Sequence, residues 1–263
     1  MPALDLVGGL LGQAQHVTVE GQRLLVVVDG HHKPQLLYTA HVCGNDHWVR
    51  QIPTGVYGSA QAAGYAFDRP PVHQHQVARF AVRGRVLDVG CGAGLSAAAL
   101  HGHAEVVVGL EPNAGMLAYR RQVAPHAHFV VGRAEQLPFA DAAFDMITAA
   151  GSLNYVDLDL FFAEARRVLR PGGVVVVYDF WPGPWYEIFE RRYPSAPGYA
   201  LDIEALRPRR YERFDVTVSM DHEASLRFML TECAGADPGW LSEQLATLGP
   251  DFVFHSYLAE IVP

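Results

Sequence analysis

The segment Val86-Leu87-Asp88-Val89-Gly90-Cys91-Gly92-Ala93-Gly94 limits the possible folds more than any other stretch of the chain. An apolar strand runs into a turn with glycine at alternate positions, and a helix-like run (Leu95–His101) follows at once. Glycines in such a turn let the backbone reverse sharply and let a ligand lie against main-chain atoms that side chains would otherwise block. The texture then repeats. Strand-like runs at Arg85–Val89, Glu105–Leu110, His128–Val131, Phe144–Thr148 and Gly173–Phe180 are separated by loops and by helix-length segments, including Pro112–Val123 and Asp157–Leu169. Short, continuously apolar strands of this kind are buried on both faces of a parallel sheet. Right-handed crossovers make that sheet doubly wound, so the spacing predicts an α/β fold.

The chain divides into three regions. Residues 1–55 carry β-branched runs bounded by turns, His16–Glu20, Arg23–Asp29, Leu36–Val42 and His47–Gln51, and predict a β-rich N-terminal extension. Residues 56–84 form a lead-in: glycine and alanine dominate from Pro53 to Phe67, which reads as a mobile lid, and Arg69–Val82 reads as a helix opened by Pro70-Pro71. The core region, 85–263, ends in a helix at Trp185–Arg192, a strand at Glu212–Met220, helices at Asp221–Cys233 and Trp240–Leu248, and a strand at Phe252–Val262.

Composition excludes several classes. The 20 basic against 28 acidic residues argue against a large nucleic-acid footprint. Even the longest unbroken apolar stretch, around Val174–Tyr178, falls far below the roughly 20 residues that cross a bilayer. Asp5 within the apolar start, with no basic residue ahead of it, fails the signal-peptide pattern, so a cytoplasmic location is expected. The three cysteines (Cys43, Cys91, Cys233) make no C-x-x-C pair, and the 13 histidines show no H-E-x-x-H spacing, so no metal is expected.

The glycine loop is not a dinucleotide fingerprint, because the third glycine of G-x-G-x-x-G would fall on Leu95. Asp88 beside the loop disfavours a pyrophosphate and suits a cationic ligand. Glu111, ending the second strand about 20 residues on, is placed to grip a ribose diol.

These residues bring out a resemblance. V-L-D-V-G-C-G-A-G (86–94), V-V-G-L-E-P-N-A-G-M-L (107–117), G-R-A-E-Q-L-P-F (132–139), F-D-M-I-T-A-A-G-S-L-N-Y-V-D (144–157) and R-V-L-R-P-G-G (167–173) run in order through the middle of the chain. The sequence resembles a class I S-adenosylmethionine-dependent methyltransferase of the type-11 small-molecule group. Tyr65-Ala66-Phe67-Asp68-Arg69-Pro70 is similar, more weakly, to the Y-x-x-x-R-P lead-in of the trans-aconitate-methyltransferase-like subgroup. The resemblance implies a Rossmann-like methyltransferase fold, a seven-stranded, mostly parallel sheet with an antiparallel last strand. It further implies that S-adenosylmethionine binds and leaves as S-adenosylhomocysteine. Gly90, Gly92 and Gly94 would border its methionine part, with Asp88 near the ammonium. Glu111 would take the ribose hydroxyls, and Pro112, Asn113 and Met116 would flank the adenine. Ala134 and Glu135 would approach the adenine edge, Ala149 would lie by the sulfonium just past the fourth strand, and Tyr65 and Arg69 would close over the cofactor, with Arg69 on its carboxylate.

Two departures stand out. Arg133 occupies a position where many relatives carry aspartate, and Asn154-Tyr155 stands where the subgroup often has His-Trp, so a histidine base is absent there. Ligand sites of open α/β sheets lie outside the carboxyl ends of the strands. The candidates for acceptor binding and catalysis are therefore Asn154 and Tyr155 after the fourth strand, and Asp179 and Trp181 after the fifth. The expected activity is in-line methyl transfer to a small-molecule acceptor. Two rivals are an S-adenosylmethionine-consuming lyase or cyclase and a catalytically silent binding module. Residues 1–55 are expected either to roof the same pocket or to pair two subunits as a homodimer.

Overall fold

A computed structural model describes residues 18–19, 22–23, 59–192, 201–233 and 235–263. The β-rich extension, the start of the lid and the dimer expected through residues 1–55 fall almost wholly outside the described residues. Of them only Thr18–Val19 and Gln22–Arg23 are described, paired antiparallel.

Seven strands form one sheet: β1 (Arg85–Val89), β2 (Val106–Glu111), β3 (His128–Val131), β4 (Phe144–Ala150), β5 (Leu169–Pro182), β6 (Arg210–Ser219) and β7 (Asp251–Ile261). Their spatial order is 3-2-1-4-5-7-6. Strands β1 to β5 are parallel, β7 runs antiparallel to β5, and β6 runs antiparallel to β7. The doubly wound, mostly parallel sheet expected from the spacing is therefore present. Strand order reverses between β1 and β4, and that switch point opens a crevice at the carboxyl ends of the strands.

The two-residue period of each strand divides the core. Leu87, Val89, Ile147, Ala149, Val175 and Val177 face one apolar layer. Val86, Met146, Val174, Val176 and Tyr178 face the other. A third cluster joins β6 and β7 to the C-terminal helices through Phe228, Phe252, Phe254 and Trp185, whose ring stacks on Phe252 at 5.2 Å.

Eight helices surround the sheet among the described residues: α1 (Ser59–Phe67), α2 (Val72–Val77), α3 (Leu95–Leu100), α4 (Arg120–Val123), α5 (Leu158–Val168), α6 (Gly183–Arg192), α7 (His222–Glu232) and α8 (Pro238–Leu248). Aspartates cap three of them. Asp157, Asp221 and Asp237 accept the N–H of Leu160, Ala224 and Trp240 at 3.1, 2.8 and 2.6 Å.

Several expectations are corrected. The glycine- and alanine-rich stretch is helical over Ser59–Phe67. Alanine is the strongest helix former, and the lone glycine has a packing reason, since a Cβ on Gly64 would collide with Thr231 of α7. Pro112 opens no helix. Residues 112–115 form a turn, then Met116–Tyr119 a single 3-10 turn before α4. The helix expected over Arg69–Val82 is confined to Val72–Val77. Ala149 lies within β4, wholly buried between Val89 and Val177, so its side chain packs in the core. Asp179 and Trp181 belong to β5 itself, paired with Tyr257 and His255 of β7.

Candidate functional site

The loop after β1 turns on glycines with φ of +68° at Gly90, +54° at Gly92 and +100° at Gly94. Gly90 is packed shut: a Cβ there would collide with Ser152, whose hydroxyl ties the ends of β1 and β4 together by donating to Val89 O at 2.7 Å. Gly92 is different. A Cβ there would meet only Met116 Cε, at 3.8 Å, so this point of the loop is bare backbone facing open space. Gly94 carries the turn into α3 as its N-cap.

Glu111, at the carboxyl end of β2, is 7% exposed. Its Oε2 accepts the Gly92 N–H at 3.0 Å and its Oε1 the Asn113 N–H at 3.0 Å. Burial pushes the carboxyl up, and the two backbone donors pull part of that back. The carboxylate is thus fixed beside the open glycine. Asn113 bends the following turn by accepting the Gly115 N–H at 2.9 Å, and Met116 packs beneath it, 3% exposed. Glu111, Pro112, Asn113 and Met116 therefore sit together around the bare loop.

Asp88 lies deeper. Fully buried, it accepts the Ser96 hydroxyl at 2.5 Å and the Thr148 hydroxyl at 2.9 Å. Burial raises its pKa to about 6. Its carboxylate is engaged in tying β1, α3 and β4 together beneath the loop. Ala134 is also buried in the core. Glu135 faces Arg133 at 3.3 Å and accepts the Asp157 N–H at 3.3 Å, so it braces the start of α5.

The lead-in supplies a second wall. Arg69 spreads its guanidinium over the Tyr65 ring at 3.9 Å and pairs with Glu232, the last residue of α7, at 2.7 Å. Its Nε is buried without a partner among the described residues. Tyr65 is within electrostatic reach of Tyr155, and Arg69 of Asp179. The structure thus brings Tyr65, Arg69, Tyr155 and Asp179 together. Asn154 joins them: its Oδ1 accepts the Leu201 N–H at 2.9 Å, and its side chain hydrogen-bonds Asp179. Trp181 stands farther along β5, 39% exposed, with its ring against His255 at 6.1 Å.

Glu232 and His73 were not among the sequence candidates for this site. No motif marks Glu232, since only the packing of α7 against α1 brings it to Arg69. His73 lies buried with Nδ1 at 3.2 Å from the Tyr178 hydroxyl and its ring edge-on to Phe180 at 5.0 Å. Burial, with Arg69 nearby, lowers its pKa to about 3, so it is a neutral packing residue. No cluster of three metal-ligating side chains occurs among the described residues.

The residues fit an S-adenosyl nucleoside. They offer an open glycine backbone at Gly92, a carboxylate fixed beside it at Glu111 and a buried N–H left over on Arg69.

Comparison with known proteins agrees. Residues 87–177 match the family model described as a methyltransferase domain. The demethylmenaquinone methyltransferase of Beutenbergia cavernae is 40% identical over 102 residues, 38% of this chain and 42% of the relative. The phthiotriol/phenolphthiotriol dimycocerosates methyltransferase of Mycobacterium leprae is 38% identical over 173 residues, 61% of this chain and 64% of the relative. The chain thus spans less than two thirds of these curated relatives. A solved structure from Anaeromyxobacter dehalogenans, assigned as a type II methyltransferase, shares the fold with a TM-score of 0.55 at 22% identity, over 73% of this chain and 94% of that one. Residues 87–177 thus match a methyltransferase domain, and the strand order and the glycine loop described above are consistent with that match.

Proposed function

We propose that the protein transfers the methyl group of S-adenosylmethionine to a small-molecule acceptor held between the carboxyl ends of β4 and β5. The observation that carries this reading is the pairing of Glu111 with the bare Gly92 loop at the switch point of the sheet. In it the glycine loop holds the methionine part, Glu111 the ribose, Pro112, Asn113 and Met116 the adenine side, and Arg69 the carboxylate through its unpartnered Nε–H. The cofactor supplies an electrophilic methyl on a sulfonium. The chain's own residues bind and orient it and exclude water, and holding nucleophile and methyl carbon in line within about 3–3.5 Å is itself worth several kcal/mol. The relatives' names point to small organic acceptors rather than nucleic acid.

Titration calorimetry tests the reading. S-adenosylmethionine and S-adenosylhomocysteine should bind in the micromolar range, roughly −7 to −8 kcal/mol, and NAD should not. Mass spectrometry of S-adenosylmethionine incubated with the protein alone should show it unchanged. Its conversion without an acceptor would favour the lyase or cyclase reading instead.

A further inference from the structure

Most described carboxylates have an evident structural partner. Asp145 and Glu164 are held by arginines, Asp88 by two hydroxyls, and Asp157, Asp221 and Asp237 by helix N-termini. Asp179 has none of that kind. Its Oδ1 accepts the N–H of its own neighbour Phe180 at 2.8 Å, and Asn154 bonds it from the turn after β4. It lies over Gly151, where a Cβ would stand 2.9 Å from Oδ1 and 3.4 Å from Oδ2. Asp179 thus bridges the carboxyl ends of β4 and β5. The charged and titratable groups facing it are Arg69 from the α1–α2 link, Glu232 from α7, Tyr178 of its own strand and Tyr257 of β7. Arg69 is already bonded to Glu232 at 2.7 Å, so it does not neutralise Asp179 by a direct bond.

Resting on the function proposed above, we infer that Asp179 faces the methyl-bearing sulfonium and is the base that takes the acceptor's proton. The acceptor's lone pair forms the bond to the methyl carbon, and the carbon–sulfur bond breaks with its electron pair left on a neutral thioether. The acceptor's proton passes to the Asp179 carboxylate, so atoms and charge balance. Asn154 then acts as a positioning residue that holds the carboxylate toward the crevice. Burial raises Asp179 to about 6, which places its titration where a base is used near neutrality.

The inference is readable without knowing the acceptor, because the two nucleosides differ in charge at sulfur. A cationic sulfonium beside Asp179 drives its ionisation; the neutral thioether does not. Calorimetry in two buffers of different ionisation enthalpy at pH 6 should therefore show release of up to about half a proton when S-adenosylmethionine binds, and less with S-adenosylhomocysteine. The preference for S-adenosylmethionine should fall severalfold between pH 7.5 and pH 5. Asp179→Asn should abolish the difference in proton release, while Asp179→Glu keeps it. Equal proton release by the two nucleosides in the parent protein overturns the inference, whatever the variants do. So does an undiminished difference in a folded Asp179→Asn protein. If the parent binds neither nucleoside, the cofactor reading itself has failed. With an acceptor that turns over, kcat/KM for S-adenosylmethionine should rise about tenfold per pH unit below 6 and level off above it, as for a single base. A flat profile there overturns the base role.

Discussion

Glu111 shows how much one side chain is asked to do. Its two oxygens already hold the Gly92 and Asn113 N–H groups, so it shapes the loop before any ligand arrives. Replacing it by alanine removes charge-assisted hydrogen bonds to a ribose diol and leaves two N–H groups without their acceptor. Affinity for S-adenosylhomocysteine should fall by about 1.5–3 kcal/mol, ten- to more than a hundredfold, read by calorimetry. Unchanged affinity would remove Glu111 from the ribose. This residue was legible in the sequence because a strand-end acid at a fixed distance from a glycine loop has few other uses. Asp88 was legible as acidic and close to the loop, but not as fully buried. Only the approach of Ser96 and Thr148 shows that its carboxylate faces inward.

At the scale of elements, strand texture gave the parallel sheet because buried strands are continuously apolar, and the ends shifted by a residue or two, except that β5 begins four residues early, at Leu169. The lead-in was harder to read. Gly and Ala in 53–67 look like a loop, yet α1 lies against α7 and against the 3-10 turn before α4, with Phe67 edge-on to Tyr119 at 5.1 Å. Asp68 also meets Arg227 of α7 at 3.2 Å. Such contacts join segments far apart in sequence and leave no local pattern. They make Gly64 a test of docking against propensity. Alanine in a helix interior is favoured over glycine by about 1 kcal/mol, yet here its methyl would collide with the β-branched Thr231. Gly64→Ala should therefore lower stability and weaken cofactor binding, and adding Thr231→Ala should restore both. If Gly64→Ala alone is stabilising, α1 does not depend on this close approach. Hydrogen exchange over 59–69 should slow when cofactor is added, since Tyr65 and Arg69 gain a partner; identical exchange would leave α1 a fixed wall.

The whole molecule carries opposed titrations among its buried polar groups, and their signs decide how stability responds to acid. Asp88 and Asp179 each rise to about 6 on folding, so the folded chain takes those protons before the unfolded chain does, and stability is gained as pH falls from 7 toward 5. His73 acts the other way. Its folded pKa of about 3 lies below the ordinary 6.5, so the unfolded chain takes that proton first, and stability is lost over the same window. From pH 7 to pH 5 the histidine alone costs about 2 kcal/mol, since each pKa unit is worth 1.36 kcal/mol and most of the 1.5 units between 6.5 and 5 is realised. Each aspartate returns somewhat less, so the two together more than offset it. His73→Gln keeps a polar side chain facing the Tyr178 hydroxyl and removes only the titration. Denaturant unfolding at pH 7 and pH 5 should then show the variant gaining about 2 kcal/mol on the parent over that interval, with Asp88→Asn shifting the opposite way. Parallel pH profiles for His73→Gln and the parent would mean that His73 accepts its proton in the folded chain, and that the layer beneath α2 is open to water rather than sealed.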